Sequence, residues 1–192
     1  MTALTLNLNA VVQLTSEQFY KLCEENRDLQ LERNANGELI VMPPTGGETG
    51  KRNSTANAQI WTWNDRTELG EVFDSSTGFT LPSKADRSPD VSWVEKSRWE
   101  ALTPEQRDKF IPLCPDFVIE FLSPSDRLIK TQEKMQEYMD NGCRLGWLIN
   151  RKKREVEIYR PGQEVEVLQS PLTLSGEDVL PGFVLNLQKI WN

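Results

Sequence analysis

One passage limits the folds open to this chain more than any other. Asp116-Phe-Val-Ile-Glu-Phe-Leu122 is followed by a helical stretch from about Arg127 to Asn141, and then by Leu145-Gly-Trp-Leu-Ile149. The first run is apolar at nearly every position, the pattern of a strand covered on both faces. The middle stretch consists of good helix formers. Its apolar residues Leu128, Met135, Tyr138 and Met139 form one stripe, and Gly142 stands where a C-cap glycine belongs. A strand–helix–strand passage joins two parallel strands, with the helix on one face of the sheet. The expected fold class is therefore α/β, with a mixed central β-sheet flanked by helices.

The remaining segments extend this plan. Thr15-Ser-Glu-Gln18 is a capping box opening a helix with Phe19, Leu22 and Cys23 on one face. Two short strands flank the turn Asn34-Ala-Asn-Gly37, the second running from Glu38 to Met42. Pro43-Pro44-Thr-Gly-Gly then breaks the chain, and Ala56, Ile60 and Trp63 mark an amphipathic helix from about Lys51 to Thr67. Strand patterns follow at 72–74, 78–81 and 89–94. A second capping box, Thr103-Pro-Glu-Gln106, lies in a helical excursion from Ser97 to Phe110. Beyond Ile149 come a basic turn, the strand Glu155-Val-Glu-Ile-Tyr159, and short strands and turns through Leu180-Pro-Gly-Phe183. With no repeat and no linker, residues 1–192 are expected to form one domain, its core spanning about 15 to 184.

The chain contains no histidine. This excludes Ser-His-Asp and Cys-His catalysis, histidine general bases and most zinc sites. Any chemistry must run on carboxylates, lysine and hydroxyls, with or without a hard metal ion. Cys23, Cys114 and Cys143 are odd in number and widely spaced, as expected of free thiols in a reducing cytoplasm. No apolar run approaches the roughly 20 residues that cross a bilayer, and Met1 to Leu14 lacks the marks of a signal peptide, so no membrane partner is expected. The net charge of −7 argues against a protein that coats nucleic acid. Binding needs only local positive charge, however, and Lys51-Arg52, Arg127 with Lys130 and Lys134, and Arg151-Lys-Lys-Arg154 supply it.

Two carboxylates stand out by position. Asp90 opens a strand directly after a proline, and Glu120 sits within the most apolar strand, on the same face as Val118 and Leu122. An ionised glutamate there needs a cation or strong donors. A buried ion pair would satisfy it. So would a divalent ion shared with Asp90, because side chains on one face of neighbouring strands approach within roughly 5 Å. Magnesium, which keeps several waters, needs only one or two carboxylates. Lys130 and Lys134 share a face of the following helix, and Lys134 borders its apolar stripe one turn before Tyr138. From there its ammonium could fold back toward Glu120, or its stem could simply cover the core edge.

Taken in order, Pro89-Asp90-Val, Pro115-Asp116-Phe-Val-Ile-Glu120-Phe-Leu-Ser123-Pro-Ser, Lys134-Met-Gln-Glu-Tyr138, Gly142 and Leu145-Gly-Trp-Leu-Ile149 resemble a large bacterial family of restriction-endonuclease-like proteins. The family has long been catalogued as a domain of unknown function, and the resemblance runs from about Thr15 to Phe183. It implies a PD-(D/E)XK nuclease core with extra N- and C-terminal strands, Mg2+ or Mn2+ as cofactor, and DNA as the expected nucleic-acid partner. It also implies a homodimer. By the resemblance Asp90 and Glu120 are the metal-binding acids and Lys134 is the catalytic lysine. In the usual pattern that lysine lies two residues after the second acid, where this chain has Leu122. Lys130 is the fallback. Glu48 matches the place of an additional metal-binding acid, and Lys130, Arg127 and Ser123 are candidates for contacting substrate. Ser123 is also suited to capping the next helix, whose N-terminus around Ser125 to Leu128 could hold a phosphate. A second class of function stays open: a catalytically inactive nuclease fold that binds nucleic acid or a protein partner.

Overall fold

The computed structural model of the chain describes residues 3–124 and 126–192. The chain begins with β1 (Leu4–Leu6), α1 (Ser16–Glu25), β2 (Gln30–Arg33), β3 (Leu39–Met42) and α2 (Gly47–Thr67). It continues through β4 (Gly70–Asp74), β5 (Phe79–Thr80), β6 (Asp86–Arg87), β7 (Val91–Glu95), α3 (Lys96–Glu100) and α4 (Pro104–Asp108). Next come β8 (Phe117–Phe121), α5 (Leu128–Asp140), β9 (Leu145–Asn150), β10 (Glu155–Tyr159) and β11 (Glu166–Gln169). The last elements are β12 (Thr173–Ser175), β13 (Val184–Asn186) and α6 (Gln188–Trp191).

The central sheet has six strands in the order β11-β10-β9-β8-β7-β4. Only β8 and β9 are parallel, the pair that the strand–helix–strand passage predicts, and every other junction in the sheet is antiparallel. Both faces of β8 are covered. Phe117, Ile119 and Phe121 join the core beneath α2, with Ala56, Ile60, Trp147 and the C-terminal Phe183. Val118 turns the other way, into the core formed with Met135, Tyr138 and Met139 of α5. Gly146 on β9 helps α5 approach the sheet, since a Cβ there would stand 2.6 Å from Met135 Cε. That approach sets how far the α5 side chains reach over β8.

The expected mixed central sheet is present, and the extra N- and C-terminal strands are organised into sheets of their own. The N-terminal strands form a second, five-stranded sheet in the order β1-β3-β2-β6-β5, and β12 pairs with β13 as a separate ribbon. In this second sheet β5 and β6 have two residues each, too few to show a period in sequence. The sheet closes over α1, where Phe19, Leu31 and Leu39 form a third, smaller core. Both capping boxes form as expected, at Thr15–Gln18 and Thr103–Gln106. The excursion between β7 and β8 is two five-residue helices, not one longer one. Helix α2 starts at Gly47, ahead of the expected Lys51, with the extended Gly46 as its N-cap.

Candidate active site

Strands β7 and β8 run antiparallel with Val91 opposite Ile119 and Ser92 opposite Val118. The same register carried one residue further sets Asp90 opposite Glu120. Asp90 is fixed from two sides. Its Oδ2 accepts the Phe121 backbone N–H at 2.8 Å, and its Oδ1 accepts the Asn53 side-chain amide at 2.6 Å. Asn53 lies on α2 three residues before Ala56 and seven before Ile60, so it shares their inward face.

Glu120 is 7% exposed. Its Oε1 accepts the Tyr138 hydroxyl at 3.0 Å and stands 2.8 Å from Lys134 Nζ. The same ammonium lies 2.8 Å from Oε1 of Glu32 on β2. Glu32 is buried as well, and it accepts the Ser88 backbone N–H at 3.0 Å and pairs with Arg87 Nη1 at 3.0 Å. Arg87 Nε in turn pairs with Glu137 Oε2 at 2.5 Å. The result is a buried chain of alternating charge, Glu120–Lys134–Glu32–Arg87–Glu137, that ties α5 to the second sheet. With Asp90 counted, four carboxylates face two cations, so the cluster carries excess negative charge.

The protonation tendencies follow that imbalance. Burial pushes Glu120 up to about 7, the Asp90 and Glu32 carboxylates push the same way, and Lys134 only partly opposes them. Burial also raises Asp90, against the Phe121 N–H, Lys134 and Asn53. Burial acts to lower Lys134, but Glu120 and Glu32 overcome it and hold the ammonium charged well past its ordinary range. Glu32 is lowered despite burial, because Lys134, Arg87 and the Ser88 N–H all favour its anion.

The donor set fits a hard divalent cation. Asp90 and Glu120 offer carboxylate oxygens only, and among the described residues no group of three or more His, Cys, Asp or Glu gathers to hold a metal ion. Two carboxylates suit an ion that retains most of its water, as magnesium does. Asn53 Oδ1 gives a second sign, being buried with no hydrogen-bond partner in the described structure. An orphan acceptor beside Asp90 fits a donor that arrives with a ligand, such as an ion-bound water. Because Glu120 must lose its proton to ligate, proton and metal compete there. With Glu120 near 7, Mn2+ affinity is expected to be about ten-fold weaker at pH 6 than on its plateau above pH 8. Calorimetric titrations across that range check this, and a flat profile contradicts it. Stability of the ion-free fold runs oppositely. Glu120 titrates higher folded than its ordinary 4.5, so the native state holds the extra proton and gains stability as pH falls from 8 toward 5.

The other expected site residues are not brought to this centre. Glu48 lies in the first turn of α2, with its side chain 66% exposed and paired with Arg52. Arg52 is itself buried and donates from Nε to the Ile190 carbonyl at 3.1 Å, which anchors α2 to the C-terminal helix. Arg52 therefore adds no positive surface. Lys130 is 69% exposed and pairs with Glu133. Arg127 is exposed and holds the N-cap position of α5 without a side-chain capping bond. Ser123 precedes the N-cap residue Arg127 by four positions, and its backbone N–H donates to Asp126 Oδ2 at 2.8 Å. Ser125, part of the expected phosphate-holding turn, lies outside the described residues. Asp116 accepts the Glu95 N–H and pairs with Arg98 at the far end of β8.

Sequence reasoning did not single out Glu32, Asn53 or Tyr138 as part of the site. Asn53 carried a usable signal, a polar residue on the Ala56–Ile60 face. Tyr138 was visible only as part of the α5 apolar stripe. Glu32, in Gln-Leu-Glu-Arg, looks like any surface acid until the second sheet closes over α5.

No curated protein matches the chain. A protein from Anabaena variabilis ATCC 29413, whose crystal structure is described as that of "a putative nuclease belonging to DUF820", superposes with a TM-score of 0.77. The two are 23% identical over 93% of this chain and 97% of the other, which establishes a shared fold. Residues 16–188 match the Uma2 family, described as "Putative restriction endonuclease". Since that match spans almost all of both sheets and every residue of the Asp90–Glu120–Lys134 cluster, the chain belongs to the Uma2 family of restriction-endonuclease-like proteins.

Proposed function

We propose that this chain is a Mg2+- or Mn2+-dependent nuclease that hydrolyses phosphodiester bonds, with DNA as its substrate. The observation that carries the reading is the meeting of three groups from separate elements. Asp90, just ahead of β7, takes the backbone N–H of Phe121, the neighbour of Glu120 on β8, and Lys134 brings its ammonium within 2.8 Å of Glu120 from α5. The usual strand position for that lysine holds Leu122, so α5 supplies from outside the sheet the charge that the strand lacks.

Asp90 and Glu120 would hold the ion. When bound, it would lower the pKa of a coordinated water and stabilise negative charge on the phosphate. Asn53 and the Phe121 N–H keep the Asp90 carboxylate in one orientation. Tyr138 does the same for Glu120. Lys134 stays protonated between two carboxylates, so it acts as a positive charge and hydrogen-bond donor, not as a base. Such a preplaced cation stabilises charge that develops as the phosphate is attacked.

The expected result is Mn2+-dependent cleavage of labelled DNA that chelation stops. Lys134→Gln, which keeps a neutral donor in the buried chain, is expected to slow cleavage roughly 100- to 1,000-fold while still binding Mn2+. Intact DNA after incubation with wild-type protein that demonstrably holds Mn2+ would overturn the nuclease reading in favour of a non-catalytic binding module.

A further inference from the structure

We propose that the cleft beside Asp90 is a subsite for an unpaired nucleobase, which makes single-stranded or locally unpaired nucleic acid the preferred substrate class. The proposal rests on the nuclease reading of Asp90 and Glu120. It begins with an exposed tryptophan. Trp61, on the solvent side of α2, is 55% exposed. It lines an open cleft of about 510 Å3 together with Asn53 and Asn57 of α2, Asp74 and Ser75 at the end of β4, and Asp90. That volume lies within the range of clefts that take small organic ligands, roughly 300–1,000 Å3.

The chemistry of the lining selects its occupant. Among the described residues, the only charged side chains lining the cleft are Asp74 and Asp90, both acidic. Beyond the ion that Asp90 would hold at its edge, the cleft offers a phosphodiester backbone no counter-charge, and the chain as a whole carries −7. A neutral, planar group with donors and acceptors on its edge suits it better. The indole offers a stacking face, and every base has a π-face that can lie on it. Side-chain amides match the mixed donor and acceptor edges of bases. Asn57 donates to the Phe73 carbonyl at 3.3 Å, which ties it to the cleft wall. Asn53 bridges the two regions, because its amide N–H holds Asp90 while its Oδ1 is buried without a partner.

Spacing places the platform near the reaction centre. Trp61 follows Asn53 by eight residues, about 12 Å along the helix axis. A stacked strand covers that distance in roughly three to four nucleotides at its 3.4 Å rise. A base inside a duplex has both faces stacked and its pairing edge occupied. It could meet Trp61 only after unstacking and unpairing, both of which oppose binding. The cleft therefore favours strands whose bases are already free.

The test compares a 12-nucleotide single strand with its blunt duplex. Binding is measured by fluorescence anisotropy in Ca2+, a hard ion with the same preference for oxygen ligands. The single strand is expected to bind at least ten-fold more tightly. Trp61→Ala should lose about ten-fold in single-strand affinity and erase the preference, while Trp61→Phe should stay within a few-fold of wild type. Preference for either a DNA or an RNA single strand supports the proposal if Trp61→Ala removes it. Duplex binding equal to or tighter than single-strand binding overturns it, as does a Trp61→Ala variant indistinguishable from wild type. Mn2+ calorimetry on the same proteins separates the two readings. Absent Mn2+ binding in wild type would overturn the nuclease assignment, and the strand and Trp61 comparisons would still decide the cleft.

Discussion

Replacing Glu120 by Gln is expected to abolish Mn2+ binding and reduce phosphodiester cleavage on the order of 1,000-fold, while leaving a folded protein. Glutamine keeps the shape of the side chain and a carbonyl oxygen that can still accept the Tyr138 hydroxyl, which stands 3.0 Å from Glu120 Oε1. It removes one negative charge from a cluster with more carboxylates than cations, and Lys134 keeps its contact with Glu32. The fold loses no counter-ion it depends on. The proposed metal site would lose one of its two carboxylates, and Asp90 alone has little to offer an ion that must shed water to bind. Metal-ion catalysis supplies several kcal/mol of transition-state stabilisation, and each 1.36 kcal/mol is a factor of ten in rate. Calorimetry with Mn2+, a cleavage assay and a thermal melt read the three parts separately. Full activity in a folded Glu120→Gln protein would sink the assignment of Glu120.

The second large effect falls on stability. Glu32→Ala is expected to destabilise the fold by about 3–5 kcal/mol, since it strips a partner from two cations held away from water. Both Lys134 and Arg87 contact Glu32, whose side chain is 3% exposed. For a chain of this size the loss corresponds to a fall of roughly 10 °C in Tm. Metal affinity should weaken as well, because Lys134 would then belong to Glu120 alone and one nearby negative charge would be gone. A thermal melt and a Mn2+ titration on the same sample check both. A Tm within a degree or two of wild type would show that Glu32 does not hold the buried chain together. The milder Glu32→Gln, which can still accept from Ser88 and Lys134, should lose less of both.

The two effects separate roles that look alike in sequence. Glu32 and Glu120 are both buried glutamates on strands, and both contact the same ammonium. Burial and neighbouring acids push Glu120 up, whereas two cations hold Glu32 down. Glu120 shares its one cation, Lys134, with Glu32, whereas Glu32 has both Lys134 and Arg87.

The sequence alone determined the parallel β8–β9 pair, the helix between them, both capping boxes, and the prominence of Asp90, Glu120 and Lys134. Each of these is written over a short stretch of chain: an apolar run of five or more residues, a helical stripe, a cap, or a charge placed within an apolar strand. It also framed the question of Lys134, since Leu122 fills the usual lysine position. Only the tertiary structure decided that Lys134 reaches Glu120, that Lys130 does not, and that Glu48 turns away to Arg52. It alone showed that Glu32, Arg87 and Glu137 complete the buried charge chain, and that Trp61 opens onto the cleft beside Asp90. Those features join residues up to 102 positions apart, as Glu32 and Lys134 are. No local pattern encodes them, because strands as short as β5 and β6 show no period of their own. A buried ion pair becomes visible only when both partners have left water together.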